Sequence, residues 1–107
     1  MEKQTAGRDR LGEFAPKFAE LNDDVLFGEV WSRETELSPK LRSMITISAL
    51  LSGGNFEQLK AHLLKGKANG ISQAEISEII TQLAFYCGWP KAWSAFTIAK
   101  EVYSEAD

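Results

Sequence analysis

The sequence predicts an all-α fold, a bundle of about six helices. Three observations carry this. No run keeps the two-residue alternation of apolar and polar side chains that a half-buried strand needs. Apolar residues recur instead at spacings of three and four, the period of one helix face. Helix start and stop signals punctuate the chain: Ser-Pro, a Ser-x-x-Glu box, and glycines that close apolar runs.

The stretch LGEFAPKFAEL gives a first short helix, with Phe14, Phe18 and Leu21 on one side and Pro16 either interrupting or opening it. NDDVLFGEVWSR gives a second, capped by Asn22 or Asp23, with Phe27 and Trp31 one turn apart. SPKLRSMITISALLSGG gives a third: Ser38 suits the N-cap, Pro39 the first turn, and Gly53 and Gly54 the end. Its β-branched centre makes a strand the competing assignment, but length and N-terminal signals favour a helix. Apolar residues cover most of its circumference, which predicts a central, buried element.

The fourth helix runs from about Asn55 to Asn69 and closes at Gly70. SQAE, residues 72–75, has the capping-box pattern and opens a fifth, with Ile76, Ile79, Ile80, Leu83 and Ala84 on its apolar face. Gly88 stops it. Pro90 starts a sixth, carrying Trp93, Phe96, Ala99, Val102 and Tyr103, with Trp89 placed to staple onto its first turn.

The totals bound the rest. The 107 residues suffice for one domain. Residues 1–10 read as a flexible N-terminal arm and 11–107 as the helical domain. The net charge of −3 and the lack of a basic stripe argue against nucleic acid as a partner. No apolar stretch approaches the roughly 20 residues of a membrane helix, and MEKQTAGRDR has no signal-peptide core, so a cytoplasmic location is expected. The single cysteine, Cys87, excludes an internal disulfide and any multi-cysteine metal site; its apolar neighbours suggest a buried structural thiol. No metal site is expected.

One segment invites a chemical reading. Asn55, Gln58 and the lone histidine, His62, are spaced i, i+3 and i+7, so they share a helix face, with Phe56, Leu59 and Leu63 beside them. That strip offers hydrogen-bonding amides and a group that titrates near neutral pH. By itself such a strip is more often a polar helix surface, and a solitary histidine more often a surface or satisfied-core residue than a catalyst.

The stretches LNDDVLFGEVWSR, LSPKLRSMITISALL, QLKAHLLKGKANGIS, AEISEIITQLAFYCGWPKAWSAF and AKEVY add specificity. His62, Gly66, Gly70, then Glu75, Ile76 and Glu78, then Tyr86, Gly88, Pro90 and Ala92 form a frame. From Leu11 to Tyr103 the chain resembles the carboxymuconolactone decarboxylase family. The resemblance implies an alkyl hydroperoxidase D-like all-α fold and a homo-oligomer, a trimer or hexamer, to which the third and sixth helices would lend apolar faces. One branch of that family uses a Cys-x-x-Cys pair ahead of the histidine and an upstream glutamate. Here those positions hold Asn55, Gln58 and Ser43, so thiol chemistry at that site is excluded.

The other branch removes CO₂ from 4-carboxymuconolactone without a cofactor. On that likeness His62 is the candidate general acid, and Asn55 and Gln58 are candidate donors orienting a small-molecule lactone or carboxylate. Arg42 would grip a carboxylate, though an ion pair with Glu34 or Glu36 competes. Ser43, Trp31 and Tyr86 are candidate lining residues, and packing is the competing explanation for each. Glu75 is better explained by capping, Glu78 by a solvated face, and Gly66 by close helix packing.

Overall fold

A computed structural model describes residues 3–104. Residues 1 and 2, part of the expected arm, and 105–107, the end of the expected domain, lie outside the described residues. The described residues form six α-helices and one π-helix, with no strand among them. The elements are α1 (Ala6–Leu11), α2 (Pro16–Glu20), a π-helix (Leu21–Val30), α3 (Pro39–Gly53), α4 (Phe56–Ala68), α5 (Gln73–Cys87) and α6 (Trp89–Ser104). Among the described residues no helix is long and apolar enough to cross a membrane. The chain divides into two units, one ending at Pro39 and the other starting at Lys40.

In the first unit, the region expected as an arm includes α1. Its anchor is Asp23, sixteen residues away. The buried carboxylate accepts the backbone N–H of Gly7 at 2.9 Å and of Arg8 at 2.9 Å, in the first turn of α1. Those are amide donors that a helix start leaves without internal partners. The Arg8 guanidinium forks onto Asp24 at 2.7 and 2.8 Å. Neither Asn22 nor Asp23 caps a new helix, as the sequence suggested. Pro16 opens α2, which passes without a break into the π-helix, so position 23 lies inside a helix and its side chain serves another helix end. Phe14, Phe18 and Leu21 do not form a buried side; they are 90%, 61% and 48% exposed.

In the second unit the caps fall where the sequence set them. Ser72 Oγ accepts the Glu75 N–H at 3.1 Å, and the Glu75 carboxylate accepts the Ser72 N–H at 2.9 Å. Glu75 also pairs with Lys40 at 2.9 Å. Gly54, Gly70 and Gly88 adopt φ of +73°, +98° and +104°, and so end α3, α4 and α5 in a backbone region that strains other residues. The core gathers Ile47 and Leu51 of α3, Leu59 and Leu63 of α4, Ile76 and Ile80 of α5, and Ala95 and Val102 of α6.

Three expectations change here. Helix α3 buries one stripe, Ser43, Ile47 and Leu51, while Leu41 and Ile45 stay 48% and 58% exposed, so it is not buried all round. Cys87 is half-buried, its Sγ 3.2 Å from Ser52 Oγ, rather than enclosed among apolar groups. Trp89 belongs to α6 itself and packs edge-on against Phe85 of α5, ring centroids 5.7 Å apart.

Candidate functional site

The site is built along one face of α4. Asn55 precedes the helix and is exposed, as is Gln58. His62 is half-buried, with its Nδ1 atom enclosed. Gly66, one turn further, is buried, and Asn69 is half-buried. The strip therefore descends from solvent at its N-terminal end to the interior at its C-terminal end.

Helix α3 meets the inner end. A Cβ added at Gly66 would sit 3.0 Å from Ile47 Cδ1, 3.0 Å from Ile71 Cδ1 and 3.6 Å from Ser43 Cβ. Absence of a side chain at position 66 is what lets α3 approach so near. The fully buried Ser43 Oγ accepts a hydrogen bond from Asn69 Nδ2 at 3.0 Å. Ser43 thus joins the α4 strip through Gly66 and Asn69. Arg42, its half-buried neighbour, has its carbonyl bound by Thr46 Oγ1 at 2.8 Å.

Burial lowers the pKa of His62 below its ordinary value near 6.5, and the positive charge of Lys65, one turn on, lowers it further. Burial also lowers the pKa of Lys65. Both shifts have one electrostatic meaning: positive charge is poorly solvated here, so an entering anion relieves it. A carboxylate beside the imidazole would favour its protonated form, the form a general acid needs.

The remaining sequence candidates have different surroundings. Trp31 is buried in the first unit and stacks on Phe27, centroids 5.9 Å apart and rings inclined by 24°. Tyr86 is 78% exposed near the end of α5, so its ring is no wall of an enclosed site. Glu75 is a capping residue, and Glu78 is exposed. Asn69 and Lys65 were missed. Their signal was present: they stand seven and three residues after His62, the same helical arithmetic that picked out Asn55 and Gln58. Among the described residues no group of three or more His, Cys, Asp or Glu side chains is placed to hold a metal ion.

Comparison with known proteins gives this geometry a family. Residues 16–101 match the model of the carboxymuconolactone decarboxylase family. The chain is 33% identical over 97 residues to 4-carboxymuconolactone decarboxylase of Acinetobacter baylyi, an alignment covering 91% of this chain and 72% of that protein. It is 34% identical over 86 residues to a 15.0 kDa protein from the nqo9-nqo10 intergenic region of Paracoccus denitrificans, covering 78% of this chain and 63% of that one. It is 28% identical over 86 residues to nitrosuccinic acid decarboxylase npaB of Metarhizium robertsii, covering 80% and 59% respectively. Together with the His62, Gly66 and Gly70 spacing and the all-helical fold, these matches place the chain in the carboxymuconolactone decarboxylase family.

Proposed function

We propose that this protein is a decarboxylase that needs no cofactor, acting on a small carboxylated lactone, 4-carboxymuconolactone or an analogue, with His62 as general acid. The observation that carries this reading is the half-buried imidazole with Lys65 one helical turn away, where the polar strip passes from solvent toward the interior. Support comes from two relatives whose names are those of decarboxylases.

The chemistry asks little of the protein. The bond from the γ-carbon of the unsaturated lactone to its carboxylate breaks, and CO₂ leaves. The electron pair passes into a dienolate whose charge collects on the lactone carbonyl oxygen. Donors aimed at that oxygen lower the barrier, typically by about 3 kcal/mol for one well-placed group. Asn55 and Gln58 at the open end of the strip are assigned that task. The imidazolium of His62 then gives its proton to the ring carbon, and solvent restores it. Arg42 is assigned a substrate carboxylate, which a guanidinium binds with two parallel hydrogen bonds. Ser43 would fix the inner end through Asn69, while the exposed Tyr86 is at most peripheral to substrate.

Thiol peroxidase chemistry fits poorly. The chain has one cysteine, and its Sγ lies against Ser52 on a different pair of helices from His62. Self-association is part of the proposal, as a trimer or hexamer, through exposed apolar side chains such as Leu41, Ile45, Phe14 and Phe18. Light scattering that returns a monomer at micromolar concentration would remove that part.

The test of function is direct. Purified protein is mixed with 4-carboxymuconolactone and ultraviolet absorbance followed, beside His62→Ala. Turnover by the wild type and a loss of at least a hundredfold in the variant are expected. Equal rates would take the imidazole out of the mechanism. No turnover by either would leave a family member acting on another small molecule, or a ligand-binding oligomer.

A further inference from the structure

Away from His62, a furrow runs between α5 and α6 within the second unit. It comprises two hollows of about 390 and 460 Å³ that share Phe96 as a common wall. His62 lines neither. The two ends differ in chemistry. The first hollow is walled by Trp89 and Trp93, 56% and 67% exposed, over a floor of Ala84 and Ala92. The second is edged by Lys100, Ser77, Ser104 and Gln73 over Ile76 and Ala99.

Its far wall is fixed. The Tyr103 hydroxyl donates to the Ile71 carbonyl at 2.8 Å, and the Lys67 ammonium lies 5.7 Å from the ring centroid. Nearby charges are matched: Glu75 with Lys40, and Glu101 with Lys60 at 2.6 Å. Lys100 has no ion-pair partner among the described residues. The furrow therefore offers an aromatic slot at one end and a single uncompensated cation at the other. Trp89 and Lys100 are eleven positions apart on one helix, about 16 Å along its axis. That is close to the extended length of a twelve-carbon chain.

We infer that the α5–α6 furrow binds a medium-chain carboxylate, with its hydrocarbon between Trp89, Trp93 and Phe96 and its head group on Lys100. The combined hollows fall in the size range of small-molecule sites, and the pattern of apolar walls with few polar groups is theirs too. The ammonium supplies a charge-assisted contact to a carboxylate, while the hydroxyl of Ser77 remains available as a donor.

Dodecanoate, kept below its micelle concentration, is the probe, with binding followed by calorimetry and by tryptophan emission. Saturable binding of one molecule per chain and a blue shift are expected. Decanoate should bind about five- to fifteenfold more weakly, from the loss of two methylenes. Lys100→Met should weaken dodecanoate about tenfold. Thr81 is exposed and lines the aromatic end, so Thr81→Trp should fill the slot and abolish binding without disturbing the core. Circular dichroism checks that both variants fold. His62→Ala should bind as the wild type does, which separates this site from the proposed catalytic one. Absence of saturable binding, whether the furrow is closed or covered by another copy, overturns the inference. So does binding indifferent to Lys100→Met and Thr81→Trp, or binding lost with His62→Ala.

Discussion

The two units of the chain are held by different forces. From Lys40 onward, α3 to α6 bury aliphatic side chains against one another, and Ile47, Leu51, Leu59, Leu63 and Ile80 have no exposed surface at all. Up to Pro39, Phe14, Phe18 and Leu21 stay 90%, 61% and 48% exposed, while Trp31 is buried. There α1 is tied down by two neighbouring carboxylates, Asp23 accepting two backbone N–H groups and Asp24 the Arg8 guanidinium. A packed core spreads its stability over many contacts. An anchored helix concentrates its hold in a few polar groups, and where these are carboxylates that hold depends on pH.

The largest effect expected from breaking this contrast is Ile80→Ala. Emptying a fully buried aliphatic site costs about 2–5 kcal/mol, read as a lower urea midpoint. Asp23→Ala should act locally instead. Amide exchange at Gly7 and Arg8 should speed up sharply while Ile80 keeps its protection; loss of protection throughout residues 40–104 would dissolve the distinction. The Asn22 amide, then the N–H groups of Arg8 and Gly7, hold the Asp23 carboxyl below the ordinary carboxylate range against the opposing cost of burial. Its stabilisation is therefore complete above about pH 4 and fades as pH falls through the lowered value. The same exchange experiment in acid should show α1 released first.

A smaller loss, about 1 kcal/mol, is expected from Ser72→Ala, which removes one bond of the capping box on α5. The smallest effect concerns charge alone. Lys65→Met should raise the pKa of His62, followed by proton NMR on the chain's one imidazole, because a like charge is removed while burial remains. Since folding lowers that pKa, the neutral form of His62 is favoured, and its contribution to stability is full above about pH 6.5 and declines as pH falls below it. Lys65→Met should soften that decline.

This contrast also explains what the sequence made legible. Helices α3 to α6 announce themselves locally: Ser72 and Glu75 are three residues apart, and Gly70 and Gly88 come directly after apolar runs. Periodicity finds such cores because the residues that pack are neighbours on one face. The anchoring of α1 is invisible to that method, since Asp23 acts across sixteen residues and local reading can only treat it as a cap for the helix downstream of it. Apolar count also misled at Phe14, Phe18 and Ile45, because an apolar side chain need not be buried in its own chain. At the candidate site, spacing found Asn55, Gln58 and His62. It could not tell that burial would grow toward Gly66 and Asn69, nor that Ser43 would be drawn in from α3. Exposure of Tyr86 likewise depends on how α5 ends in space.

The most direct test of the central claim compares two titrations of the same protein. One follows kcat/KM for 4-carboxymuconolactone with pH; the other follows the His62 ring protons by NMR. With His62 as proton donor, kcat/KM falls as pH rises, with its midpoint at the imidazole's own pKa, below about 6.5 in the free protein. A rate that ignores pH across that midpoint, or rises through it, would mean that His62 does not donate the proton.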